Sequence, residues 1–161
     1  MSVNESETYV GIETARLLYD AGFDWGCDCF YGTAHLHNGH FIDADTEFEL
    51  KAEGRGAEIE CVPFAEIYWH YHKNSHKEPQ THSRPTLDRA QMWLRRVKGY
   101  VIVVVPAFYA NNILAYNAVI FTRDGRKVDV KRDFPAYELA QEVAENECLT
   151  LILEEDEHRK R

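Results

Sequence analysis

The chain has 161 residues, a formal net charge of -9, 45% hydrophobic and 28% charged residues. These values suit one globular domain with its own core and exclude a disordered or fibrous chain. No apolar run is long enough to cross a bilayer, and the polar, acidic start "MSVNESETYV" lacks the basic and apolar blocks of a secretory signal, so a cytoplasmic location is expected.

Charge is unevenly spread. Residues 1–80 hold 5 Lys+Arg against 15 Asp+Glu, residues 81–132 hold 10 against 3, and residues 133–161 hold 3 against 9. A basic segment between acidic flanks either forms a local anion site or pairs with those flanks. The four cysteines, Cys27, Cys29, Cys61 and Cys148, are too few and too irregular for a disulfide framework and read as reduced thiols.

In chain order, "IETARLLYDA" at 12–21 spaces Ile12, Ala15, Leu18 and Tyr19 as a helix. Gly22 offers its stop, because glycine reaches positive φ without a Cβ clash. Asn38-Gly39 between aromatic and β-branched residues predicts a two-residue hairpin turn. Alternation at Phe48 and Leu50, and again at Ile59 and Cys61, around Gly54 and Gly56, predicts a second hairpin with a looser turn. The polar stretch 73–85, with two prolines, reads as a surface loop.

Thr86 then caps a helix whose stripe is Leu87, Ala90, Leu94 and Val97, with Trp93 beside it. Gly99 ends it. "YVIVVVPAF" reads as a buried strand, with Pro106 tolerated only near its end or at an edge. Asn111-Asn112 turn the chain into "ILAYNAVIF", and Asp124-Gly125 turn it into "RKVDVKRDF". Pro135 suits a first helical turn. A last helix places Ala140, Ala144, Cys148 and Leu151 on one face, and a charged tail frays after it. The expected fold is α+β: an antiparallel sheet with helices packed on one face, the C-terminal half in α-β-β-β-α order. It forms a single domain over 1–161. An N-terminal helix and hairpins occupy 1–72, a loop 73–85, the α-β-β-β-α half 86–153, and the charged tail 154–161.

The blocks "TARLLYDAGFDWGCDCFY", "RPTLDRAQMWLRRVKGYVIVV" and "DFPAYELAQEVAENECLTLIL" resemble small uncharacterised proteins abundant in gut Bacteroides-type bacteria and their phages. The resemblance covers about half the chain and rests on core and capping residues. It implies a shared fold and carries no activity with it.

Three chemistries have candidate residues. His35 and His37, and His70 and His72, are each two apart; on a strand each pair shares a face. Neighbouring strands would let the two pairs form a tetrahedral zinc site, which Cys27 and Cys29 have the spacing to join. A Cys27 nucleophile activated by His35 or His37 lacks any context for a strained turn or oxyanion donors. Asp129 and Lys131 have the spacing of a metal-dependent nuclease, but the preceding strand offers no carboxylate.

The basic segment 84–132 in an α-β-β-β-α order suggests double-stranded-RNA binding. Yet Pro135, Ala136, Tyr137 and Glu138 stand where phosphate-binding lysines are needed, and the acidic remainder repels a polyanion. The expected function is a small non-enzymatic accessory or binding protein, phage- or mobile-element-derived. It would act through a protein–protein surface at Tyr68, Trp69, Tyr71 and the exposed strand edges, a homodimer contact included. A nucleic-acid-associated protein using 84–132, and a zinc-binding protein using the His-rich strands, are the alternatives.

Overall fold

Capping chemistry sets the helices of the computed structural model, which describes residues 8–75, 81–108, 114–130 and 133–160. Helix α1 (Ile12–Asp20) ends as its sequence predicts: Gly22 has φ +93, its N–H donates to Tyr19 O, and the Phe23 N–H donates to Leu18 O. That paired arrangement satisfies the last carbonyls and turns Phe23 into the core. In α3 (Leu87–Trp93) the Thr86 hydroxyl accepts from the Arg89 N–H at 3.2 Å. Helix α4 (Tyr137–Arg159) begins two residues after Pro135, so the proline precedes the cap rather than sitting in the first turn. The helix continues through the charged stretch expected to fray, and there Glu155 accepts from the Tyr100 hydroxyl and pairs with Arg126.

Two further expectations are corrected. Residues 44–52 form helix α2 (Ala44–Ala52), not a strand. The Asp43 side chain caps it by accepting from the Thr46 N–H at 2.8 Å, and Lys51 pairs with Glu47 one turn away. A cap and an i,i+4 pair outweigh two alternating apolar residues. Val97 leaves the predicted stripe of α3 and is 53% exposed. The backbone widens into a π turn over Leu94–Lys98, where the Tyr100 N–H donates to Leu94 O. The wider turn rotates everything after Leu94 off the apolar face.

Two antiparallel sheets carry the strands. In the first, β1 (Cys27–His37) pairs along its length with β3 (Ile59–His72). The other edge of β1 takes β2 (His40–Phe41) at Leu36–His37 and β4 (His82–Ser83) at Phe30–Tyr31. Asn38 and Gly39 both have positive φ, as the β1–β2 turn requires. The stretch 59–72 is one continuous strand with two register shifts against β1, one between Cys27 and Cys29 and one further along. Register shifts between Gly32 and Ala34, where Pro63 and Phe64 oppose one residue and Phe64 takes φ +56 under the guanidinium of Arg16. The turn expected at Asn111-Asn112 lies outside the described residues.

The second sheet has the order β5 (Val101–Phe108), β6 (Leu114–Phe121), β7 (Lys127–Asp129). With α3 before it and α4 after it, this is the α-β-β-β-α half, and α4 packs on β5 and β6. One core joins the two halves. Leu18, Phe23, Cys27 and Tyr31 meet Leu87, Trp93, Ile102, Ile120 and Leu149, and Ala140, Ala144 and Cys148 let α4 approach the sheet closely. No helix among the described residues is long and apolar enough to cross a membrane.

A polar seam crosses this core. The Gln141 amide donates to Asp88 and to Gln91 at 2.8 Å each, and the Gln91 amide donates to Ile102 O. Beside it Glu145 is fully buried with neither carboxylate oxygen hydrogen-bonded. Burial, and then the charges of Glu142 and Asp88, push its carboxyl well above the ordinary range. The acid therefore holds its proton in the folded chain and loses it more easily in the unfolded one. Its favourable contribution is complete below the ordinary carboxyl value and is lost as pH rises toward the folded value. Urea midpoints across that range should fall with rising pH in the wild type. Glu145→Leu should flatten the profile and raise stability on the alkaline side by about 1–4 kcal/mol.

Candidate functional site

Strand register decides the fate of the histidines. The strands β1 and β3 are neighbours, as a zinc site would need, but they run antiparallel. Cys61 stands opposite His35, whereas His72 stands opposite Cys27. Eight residues of β1 separate these positions, roughly 26 Å of strand. The two histidine pairs therefore do not converge. His35 Nδ1 lies 2.9 Å from Glu47 of α2 and His37 Nε2 lies 3.0 Å from Glu58. Among the described residues no group of three or more His, Cys, Asp or Glu is placed to hold a metal ion. The side chain of His70, like that of Trp69, lies outside the described residues.

His72 is a core residue. It is buried, its Nδ1 is 2.7 Å from the Ser83 hydroxyl and its Nε2 is 3.1 Å from the Thr81 hydroxyl. Its ring stacks on Phe30 at 4.4 Å. The pair of bonds ties β3 to the segment that forms β4, across β1. Ser83 is itself fully buried, so this hydroxyl–imidazole pair meets no substrate. Cys27 is equally inert. Burial pushes its thiol up to about 12, against the opposing pull of Arg89, the reverse of an activated nucleophile. Of the nuclease-like pair, Asp129 lies on β7 with Lys127 at 3.8 Å, and Lys131 lies outside the described residues.

The basic segment is dispersed over several elements. Arg84 donates to Val10 O at 2.8 Å, pairs with Glu66 at 3.2 Å and lies over the rings of Tyr9 and Tyr31, where it clamps the N-terminal segment to β1. Arg126 pairs with Glu155, and Lys98 lies over Trp93. These three cations serve the fold.

Two surfaces remain open. On β3, Tyr68 is 61% exposed with its ring edge-on to Tyr9, and Tyr71 is 53% exposed beside Gly26. The second surface is the outer face of the β5–β6–β7 sheet, next to one of the exposed strand edges. Register places Val101 beside Phe121, Val103 beside Val119 and Val105 beside Asn117. The intervening residues Ile102, Ala118 and Ile120 face the core. Val103 is 39% and Val105 45% exposed, and β5 is an edge strand whose free side no described strand pairs. The signal was present in the letters, since residues 99–122 contain no charged side chain although 28% of the chain is charged. Such a β-branched run reads equally as a buried strand.

Replacing His72 with leucine removes both hydroxyl bonds and leaves a buried Ser83 hydroxyl unsatisfied. Thermal or urea unfolding should show a loss of about 1–3 kcal/mol. The same loss should appear in EDTA and in added zinc; a zinc-dependent wild-type midpoint that the substitution abolishes would make His72 a ligand instead.

The chain matches no protein-family model, no curated protein and no solved structure, so these surfaces carry the functional argument by themselves.

Proposed function

We propose that the protein is a non-enzymatic binding protein whose working surface is the uncovered face and free edge of the β5–β6–β7 sheet, and that a second copy of the chain is its first partner. The observation that supports this most directly is the exposed valine row of β5 on an unpaired edge. Long apolar edges template strand addition, and proteins that avoid it place charges, bulges or prolines there. Here the only such device is Pro106, near the end of the strand.

Self-pairing fits the chemistry better than a charged partner. Antiparallel addition of β5 to its own copy about a two-fold axis sets the same residues against each other, which satisfies the isologous rule. It also brings together the one long uncharged stretch of a chain with net charge -9, so the contact itself sets no like charges against each other. The opposite edge, β7, is three residues long and begins and ends with a charge, Lys127 and Asp129, a protected edge by the same criteria. The buried, partnered state of His72 and the raised thiol of Cys27 support a binding role over a catalytic one.

Light scattering at tens of micromolar protein should give twice the chain mass of 18.7 kDa. Val103→Lys, which sets a charge in the middle of the row, should return the monomer while leaving the far-ultraviolet circular dichroism unchanged. A wild type that stays monomeric at every concentration, or a Val103→Lys variant that still dimerises, would refute the proposal.

A further inference from the structure

A groove runs between residues 24–28, the end of β3 and the outer side of α3, well apart in chemistry from the valine face. It has two joined lobes of about 490 and 370 Å³ that share Gly26, Tyr71, Arg89 and Met92. Sites of this volume hold small organic ligands. We propose that this groove binds a nucleotide, as a free monophosphate or as a unit of a single strand, with the base in the larger lobe and the phosphate in the smaller.

The aromatic element is built into the backbone. A Cβ on Gly26 would lie 2.1 Å from the Tyr71 ring, so the ring lies against the glycine backbone and only glycine allows it there. Tyr71 nevertheless keeps about half its surface exposed. A half-exposed ring seated on the backbone, with the Lys73 ammonium 5.7 Å from its centroid, offers a stacking platform that tolerates any base, and Met92 and Pro85 supply apolar contact in the same lobe.

The cationic element is equally fixed. Arg89 Nε donates to Gly26 O at 3.1 Å and its guanidinium lies over Trp25 at 5.1 Å. This orients a planar donor group at the junction of the lobes. Lys73 and Arg96 line the smaller lobe. Neither Arg89 nor Arg96 forms an ion pair with a carboxylate among the described residues. The groove does contain acids, and each has its own donor. Asp24 accepts from the Ser75 N–H at 2.7 Å, Asp88 from the Gln141 amide at 2.8 Å, and Asp28 from the Tyr9 hydroxyl at 3.2 Å. Arg89, held in place without a carboxylate partner among the described residues, and Arg96 near it, beside a stacking ring, match a phosphate attached to a flat base.

Trp25, one of three tryptophans, lies under Arg89, and a Trp25→Phe variant that no longer responds assigns the signal to it. Its fluorescence should quench saturably on titration with adenosine monophosphate, less with adenosine, and little with inorganic phosphate. Arg96→Glu, an exposed position, should weaken binding at least about tenfold, the loss of one charge-assisted hydrogen bond. Gly26→Ala, which dislodges the ring, should weaken it independently, and Val103→Lys should leave it unchanged. A hexadeoxyadenylate arm identifies the source: binding far tighter than the mononucleotide supports a strand, and equal affinity supports a free nucleotide. Absence of saturable quenching by both ligands at millimolar concentration overturns the proposal. So does quenching that Arg96→Glu and Gly26→Ala leave intact. Folding of each variant is checked by circular dichroism, and dimerisation is read separately, so this site can fail while the valine interface stands.

Discussion

Helix α4 covers one face of the three-stranded sheet, and a sheet has two. Ile102, Ala118 and Ile120 point at the helix and are buried; Val101, Val103, Val105 and Phe121 point the other way and keep a third or more of their surface. Because side chains alternate with a period of two, choosing the positions that build the inner face also fixes which positions form the outer one, while the residues placed there stay free to vary. A polar outer row would have left a quiet, solvated sheet. A valine row on an edge strand leaves apolar area whose removal from water is worth about 25 cal/mol per Å².

The same core dictates what the other half is for. Helices α1 and α3 pack against α4, and the β1–β3 sheet closes over them through Cys27 and Tyr31. Arg84 and His72 then fasten the segments that flank this junction. Arg84 spans Val10, Cys29 and Glu66, and His72 spans Ser83 and Thr81. Residues that look reactive in isolation are used here as fasteners, which is the commoner fate of a buried polar side chain that finds partners.

Much of the fold was legible in the letters because it depends on local chemistry. Thr86 as a cap, Gly22 and Gly99 as stops, Asn38-Gly39 and Asp124-Gly125 as turns, and the Ala140-Ala144-Cys148 face of α4 all work through neighbours a few residues away. What was not legible depends on distance or on competition. Phe48 and Leu50 mimic alternation over too few residues to outweigh the Asp43 cap. The π turn at Leu94–Lys98 has no signature in composition, so Val97 was misplaced. Register between β1 and β3 is set by a bulge at Phe64 and by core packing, so nothing in the spacing of the histidines told that the pairs would lie at opposite ends. The groove draws on residues 24–28, 71–73 and 85–96, which only the tertiary fold brings together. Its one local hint is Gly26 between Trp25 and Cys27, a glycine with no turn to explain it. From the letters Tyr71 reads only as part of an aromatic partner surface; that its ring stands on Gly26 is visible in the fold alone.

The central claim is that the free side of β5 is occupied by its own copy. Backbone amide hydrogen exchange along Val101–Phe108, compared between dilute and concentrated protein, tests it at the atoms concerned. The account predicts that alternate amides of β5, those pointing away from β6, gain protection as concentration rises while β7 is unaffected. Exchange of those amides at one rate across the concentration range would contradict it.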